Sequence, residues 1–335
     1  MTFPLPRLAH FEPFYKTPCG AAYLGDSLKL LPALPDKSVN LILTSPPFAL
    51  TRKKEYGNKG ADEYVEWFLQ FARHFKRILT DDGSLVIDLG GAYLPGHPVR
   101  AIYQFELLVR LCRELGFFLA QEFFHYNPSR LPAPAEWVNV RRMRVKDSVN
   151  VVWWLSVTEY PKANNSNVLR PYSDSMKQLL ENGYRAKLRP SGHDISTNFN
   201  KDNHGAIPPN LLTLANTESN SAYLRRCADA GIKPHPARFP LDFPKFFIDF
   251  LTEKDDVVLD PFAGSNTTGQ RSLYILAGTC TDKGLVATCA FERPRPVRGG
   301  NSILDYTALF APTVLEYLEA SGDRKTAENL WPLVL

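Results

Sequence analysis

Two short apolar runs, far apart in the chain, each end abruptly in a turn of unusual composition. Residues 38–44, SVNLILT, are uncharged and rich in branched side chains, and they run straight into Ser45-Pro46-Pro47-Phe48. Residues 255–260, DDVVLD, run into PFAGSNTTG. Both runs read as buried strands, being too short for helices and bounded by turn residues. A chain that buries such strands on both faces needs helices to cover them, and the sequence supplies these in alternation.

In residues 62–79, Tyr64, Phe68, Phe71, Phe75 and Ile78 are spaced 4, 3, 4 and 3, the stripe of a one-sided helix. Asp81-Asp82-Gly83 is expected to stop that helix, and SLVIDL (84–89) to form a second buried strand. Residues 99–115 read as another helix with Ile102, Phe105, Val109 and Cys112 on one stripe and Gly116 as its stop. FFLAQEFFHY (117–126) and VNVVWWLSV (149–157) read as further strands. This rhythm predicts an α/β fold, doubly wound, with a mainly parallel sheet and helices on both faces.

The rhythm fails between about 160 and 233, where Asn164-Asn165-Ser166-Asn167, Pro190-Ser191-Gly192 and Pro208-Pro209-Asn210 punctuate a loop-rich stretch. This reads as an inserted region rather than part of the sheet, and it divides the chain into 1–160, 161–233 and 234–335. Between Pro161 and Pro240 there are 11 Lys/Arg against 6 Asp/Glu, although the whole chain carries only +4. Such a basic segment suits a polyanion partner or a solvated surface equally well on charge alone.

Other classes are disfavoured. No apolar run approaches the roughly 18 to 20 residues that span a bilayer, and the start lacks the pattern of a secretion signal. Five cysteines without a C-x-x-C pair suggest free thiols in a reducing cytoplasm. His193, His204 and His235 lack ligand spacing, so no metal is expected. Ser191, His193 and Asp194 lie too close together in sequence to make a hydrolase relay, which needs convergence from separate elements.

The two turns carry the chemistry. Proline fixes φ, lacks an N–H and holds the preceding residue extended, so Ser45-Pro46-Pro47 is a stiff trio directly after a strand. The Ser45 hydroxyl and the carbonyls of Ser45 and Pro46 are acceptors, and Phe48 adds a flat apolar face. A nucleobase with an exocyclic amine would satisfy all of them. Its nitrogen is a poor nucleophile because the lone pair is delocalised into the ring. Two acceptors on its protons can pyramidalise it and aim the lone pair at an electrophilic carbon. At the second turn, Asp260 ends a strand and a small-residue bend opens a helix near Asn266, a common ligand position in α/β sheets. Gly264 permits close backbone approach. Gln270 stands where a triphosphate-binding loop needs lysine, so a ligand bearing both ammonium and carboxylate fits better.

Together these turns resemble those of the amino-methylating DNA methyltransferases, whose catalytic turn reads Asp/Asn/Ser-Pro-Pro-Tyr/Phe and whose cofactor turn reads D-P-F-x-G-S-G/N-T. Ser at the first position is typical of enzymes acting on cytosine N4; Asp or Asn there is usual for adenine N6. The order here, catalytic turn first with a long segment between, is that of the β group. The likeness extends through stretches such as AAYLGDSLKLLPALPDKSV, RPSGHDI, IPPNLL and IKPHPARFP, over roughly residues 10 to 270.

The resemblance implies the S-adenosylmethionine-dependent methyltransferase fold, and duplex DNA as partner. It also implies methyl transfer to cytosine N4 by base flipping in a restriction–modification system, by a monomer on a short palindrome, CAGCTG, shared with a cognate endonuclease. Residues 1–160 would hold the catalytic part, 161–233 the target-recognition region and 234–335 the cofactor part. It implies that Ser45 and Pro46 accept from the target amine, Pro47 stiffens the turn and Phe48 stacks on the base. Asp260, Phe262, Gly264, Ser265, Asn266 and Thr267 would surround the amino-acid end of the cofactor, with Asp26 near its adenine and Glu292 on its ribose. Asp26 also suits a helix N-cap, and Asp282 is a rival to Glu292 because AGTCTDKG lengthens the link between them and Asp260. DNA phosphates would meet Arg52, Lys53 and Lys54, and Arg141, Arg142, Arg144 and Lys146, although the latter group could equally be a solvated loop. A DNA adenine-N6 methyltransferase and a non-catalytic DNA-binding relative are the alternatives.

Overall fold

The computed structural model describes residues 8, 10–13, 15–17, 20–49, 59–183, 201–215, 227–229, 231, 240–254 and 256–263. A small antiparallel pair, β1 (Tyr15–Thr17) and β2 (Gly20–Ala22), precedes the short helix α1 (Ser27–Leu30). The main sheet is built from β3 (Val39–Thr44), β4 (Leu79–Leu89), β5 (Phe118–Tyr126), β6 (Val149–Ser156), β7 (Leu211–Thr213) and β8 (Val258–Leu259). The longer described helices are α2 (Ala61–Ile78), α3 (Tyr103–Arg113), α4 (Asp174–Asn182) and α5 (Asp242–Leu251). The strand order is β7-β5-β6-β4-β3-β8, and β6 alone runs against its neighbours. The expected α/β fold with a mostly parallel sheet is present.

Period-two alternation with both faces covered explains why the central stretches of β3, β4 and β6 are apolar at successive positions. Ile42, Leu85, Ile87, Trp153 and Leu155 point to the face covered by α2 and α3. Leu41, Leu43, Val86, Val152 and Trp154 point to the opposite face, covered by Phe243, Phe247, Ile248 and Leu251 of α5. With water excluded from both faces of the central strands, both parities are filled mainly by apolar side chains. The α2 stripe is as expected: Tyr64, Phe68, Phe71, Phe75 and Ile78 are all buried.

Three expectations change. Asp81-Asp82-Gly83 does not stop α2; the helix ends at Ile78, Leu79 is already extended, and β4 carries the acidic triplet as an irregularity. The register jumps from Val39↔Leu79 to Leu41↔Ser84 to absorb the extra residues. In α3 the buried stripe is Tyr103, Gln104, Leu107 and Leu111, whereas Ile102, Phe105 and Val109 are 65%, 55% and 48% exposed. Two apolar stripes compete on this helix, and polar handles decide between them. Tyr103 donates to the Gly90 carbonyl and Gln104 Nε2 to the Leu89 carbonyl at 2.7 Å, so this face seals the end of β4. Gly116, at φ +66°, does end the segment after α3. Finally, the 161–233 stretch is not wholly outside the sheet, because β7 pairs in parallel with β5 at its edge. Three residues flanked by prolines and loops are too few for a periodicity to register.

Candidate active site

Parallel pairing of β3 with β8, Leu41↔Val258 and Ile42↔Leu259, puts the ends of both strands side by side. The two unusual turns therefore start from one edge of the sheet. Thr44 Oγ1 donates to Asp260 Oδ1 at 2.9 Å, and the Phe262 N–H donates to the same oxygen at 3.0 Å. The Phe262 ring packs on α2, 4.9 Å from Phe71 and 5.8 Å from Trp67 between centroids. Ser27 Oγ donates to the Pro261 carbonyl at 2.6 Å, which brings α1 and its cap Asp26 against the same turn. Asp26 accepts from the Leu28 N–H at 3.0 Å, the capping contact its position suggested.

One strand over, β3 pairs in parallel with β4 (Thr44↔Ile87), so the end of β4 lies beside Ser45. Ser45 Oγ donates to the Asp88 carbonyl at 3.2 Å, with Asp88 Oδ2 at 3.5 Å. A hydroxyl has one proton and two lone pairs. With the proton directed at Asp88, the oxygen offers only lone pairs to a group arriving in front of the sheet. Pro46 is buried, while Ser45, Pro47 and Phe48 are half-buried, so the turn is held from behind and open ahead.

Phe48 lies against Gly90: a Cβ built on Gly90 would fall 2.4 Å from two ring carbons. Only glycine allows this approach. Burial pushes the Tyr103 hydroxyl well above the usual tyrosine range, keeping it protonated as the donor to the Gly90 carbonyl.

Behind Ser45 lies a buried polar group that the sequence reading missed. Asp88 and His125 are both buried, with His125 Nδ1 3.7 Å from Asp88 Oδ2. Asn150 Nδ2 donates to Asp88 Oδ2 at 3.4 Å. Neither nitrogen of His125 nor Asp88 Oδ1 has a hydrogen-bond partner among the described residues. One signal was available: LVID at 85–88 ends an apolar run in an acid, just as VVLD does at Asp260.

The expected DNA-contacting residues divide. Arg52, Lys53 and Lys54 lie outside the described residues, as do Gly264, Ser265, Asn266, Thr267, Asp282 and Glu292. Arg141, Arg142, Arg144 and Lys146 lie on the connection 127–148 between β5 and β6. Because β6 is antiparallel to β4, with Leu89↔Val151, that connection rises from the same edge as Ser45. Arg141 is exposed, ion-paired with Glu136 at 2.8 Å and 5.0 Å above the Trp137 ring. Arg142 is exposed. Arg144 is turned inward, donating to the Pro98 carbonyl at 2.6 Å and lying 4.9 Å over Tyr93. Lys146 clamps the carbonyls of Pro128 and Arg130 at 3.3 and 3.2 Å.

A doubly covered sheet that sets a serine-proline-proline-phenylalanine turn beside an acid-led D-P-F turn is the framework of a DNA methylase. Residues 39–274 match the DNA methylase family, and the chain belongs to it. Its relatives include the Type II methyltransferase M.PvuII of Proteus hauseri, 58% identical over 261 residues, 77% of this chain and 78% of the relative. The Type II methyltransferase M.BglII of Bacillus subtilis is 25% identical over 261 residues, 76% of this chain and 62% of the relative. Among solved structures, the PvuII DNA methyltransferase (cytosine-N4-specific) superposes with a TM-score of 0.62 at 50% identity, covering 78% of this chain and 80% of that one.

Among the described residues no helix is long and apolar enough to cross a membrane, and no group of three or more His, Cys, Asp or Glu could hold a metal ion.

Proposed function

We propose that this chain transfers a methyl group to the N4 nitrogen of cytosine in duplex DNA, with S-adenosylmethionine as donor. The observation that carries the reading is the shared edge: Ser45 follows Thr44 directly, and Thr44 is bonded to Asp260. The acceptor for an amine and the acid for a cofactor thus stand next to each other.

The described residues suit that cofactor. Asp260 offers a carboxylate at a strand end, and Asp26 a second one at the cap of α1, joined to the Asp260 turn through Ser27 and Pro261. Carboxylates match an ammonium and the amino or hydroxyl groups of a nucleoside. When bound, S-adenosylmethionine supplies a methyl carbon made electrophilic by its sulfonium. Gly264 to Thr267 at its amino-acid end and Glu292 at its ribose belong to the same proposal.

The protein's share of the reaction follows from its oxygens. Ser45 Oγ and the Pro46 carbonyl accept the two protons of the target amine, and Phe48 stacks on the base. This holds the nitrogen lone pair out of the ring and on line for attack. Transfer would form the N–C bond as the methyl–sulfur bond breaks, with the electron pair leaving on sulfur, and the nitrogen, left cationic, must lose a proton. Ser45 can take it while passing its own to the Asp88 carboxylate, so no metal or covalent enzyme intermediate is needed. Extruding the base costs a few kcal/mol, which basic residues along the 127–148 connection and the 161–233 region offset through phosphate contacts.

CAGCTG is the proposed site. A monomer acting in the cytoplasm could methylate each strand of this palindrome in separate visits, protecting it from an endonuclease of the same specificity. Attack at C5 would need a cysteine on the catalytic turn; serine stands there, and the chain's Pro18-Cys19 pair lies far from it in sequence.

The test is transfer of tritiated methyl from labelled cofactor to CAGCTG duplexes, followed by nucleoside analysis. Label in N4-methylcytosine is expected. Label in 5-methylcytosine or N6-methyladenine, or none in DNA, overturns the reading.

A further inference from the structure

Arg130 was not among the residues expected to act, yet its side chain enters the buried group behind the catalytic turn. Arg130 Nη1 donates to Asn150 Oδ1 at 2.9 Å, and the two residues are both half-buried. The other end of that amide, Asn150 Nδ2, donates to Asp88 Oδ2 at 3.4 Å, and the same carboxylate oxygen lies 3.5 Å from Ser45 Oγ, whose nearer acceptor is the Asp88 backbone carbonyl at 3.2 Å. A line of polar contacts therefore runs from the 127–148 connection through Asn150 and Asp88 to Ser45.

The chemistry of the amide makes the line directional. An Asn side chain has an acceptor end and a donor end, and only one orientation satisfies a guanidinium on one side and a carboxylate on the other. Arg130 engages the oxygen and so presents the NH₂ to Asp88. The Arg130 end is itself fixed: the Asn127 carbonyl accepts from the Arg130 N–H at 3.2 Å, and Lys146 Nζ donates to the Arg130 carbonyl. Asn127 N–H in turn donates to the Ser148 carbonyl at 2.8 Å, closing the base of the connection.

We infer that Arg130 and Asn150 are positioning residues for the reaction, holding Asp88 so that the Ser45 hydroxyl points backward and its lone pairs point at the target amine. The inference rests on the proposed methyl transfer, but it makes a separate claim: that a basic residue on a DNA-facing connection acts through the catalytic turn rather than on a phosphate. A phosphate-binding arginine sets affinity and its salt dependence; a positioning arginine sets the rate once DNA is bound.

The experiment compares Arg130→Met, Arg130→Lys, Asn150→Ala and the Arg130→Met/Asn150→Ala double variant with the unaltered full chain, whose own methylation of CAGCTG duplex tests the underlying reading separately. Melting curves establish folding, and Asn150→Ser replaces Asn150→Ala if the latter does not fold. Arg130→Met is expected to lower kcat about tenfold while the Kd for duplex and its salt slope stay unchanged. Asn150→Ala should show the same loss, the double variant no more than either single one, and Arg130→Lys, which keeps a donor, a partial recovery. The inference is overturned if Arg130→Met weakens DNA binding and lowers the salt slope by about one while kcat holds. It is equally overturned if the two single losses multiply in the double variant.

Discussion

Thr44 and Asp260, separated by 216 positions in the sequence, are joined by a hydrogen bond of 2.9 Å at the edge of the sheet. Thr44 is the last residue of β3 and Asp260 immediately follows β8, so this contact locks the start of one functional turn to the start of the other. Neither turn can shift along the sheet without breaking it.

Replacing Thr44 with Val keeps the shape and removes the donor. Hydrogen bonds to charged groups contribute about 1.5–3 kcal/mol, so Thr44→Val should weaken cofactor binding by roughly tenfold or more, using 1.4 kcal/mol per decade. Calorimetric titration with S-adenosylmethionine measures it. An unchanged Kd would mean that Asp260 is positioned by other contacts.

Gly90→Ala places a methyl group where the Phe48 ring now sits, at 2.4 Å. The ring must move, and with it the surface proposed to stack on the base. We expect kcat/KM to fall about tenfold with little change in cofactor affinity, because the cofactor turn is on the far side of β3. A fluorescent base analogue at the target position should show reduced stacking in the variant.

Lys162 joins the segment after β6 to the turn before β8. It lies 3.0 Å from Asp256, whose side chain is only 8% exposed, and within 4.0 Å of Asp82 and Glu253. Burial alone would lower the lysine pKa, but the Asp256 hydrogen bond and the three acidic charges raise it overall above its ordinary 10.5. A raised folded-state value means that the stabilisation is complete below the unfolded pKa and disappears as pH climbs through the folded one. The ion cluster should therefore support the fold at neutral pH and be lost only in strong alkali. Lys162→Met should cost about 1 kcal/mol at pH 7, a figure kept small because the pair is partly solvated. Urea denaturation at pH 7 and above pH 11 would show the difference between variant and unaltered chain shrinking at the higher pH.

Much of this architecture was legible because one rule applied without competition. The α2 stripe had a single apolar face, so spacing identified the buried residues. In α3 two stripes met the same spacing, and the choice fell to Tyr103 and Gln104, whose hydrogen bonds to the end of β4 no periodicity encodes. The boundary at Asp81-Asp82-Gly83 was misread for a related reason: a bulge inside a strand carries the same residues as a helix stop.

At the site, Ser45 and Asp260 could be singled out because each opens a turn with marked composition. Asp88 was less legible: it ends an apolar run as Asp260 does, but its role depends on β4 lying next to β3. The same holds for Asn150, Arg130 and Gly90, which reach the site only through strand pairing. The sequence placed Arg144 and Lys146 on DNA phosphates or in a solvated loop and gave no sign of their bonds to the Pro98, Pro128 and Arg130 carbonyls. Carbonyl partners on distant residues leave no trace in local composition.

The central claim is that Ser45 holds the amine while the neighbouring turn holds the donor, and single-turnover methylation by Ser45→Ala tests it most directly. With CAGCTG duplex and S-adenosylmethionine both saturating and both still bound, the rate of methyl transfer should drop roughly a hundredfold. A variant that binds both and methylates at the unaltered rate would contradict the account.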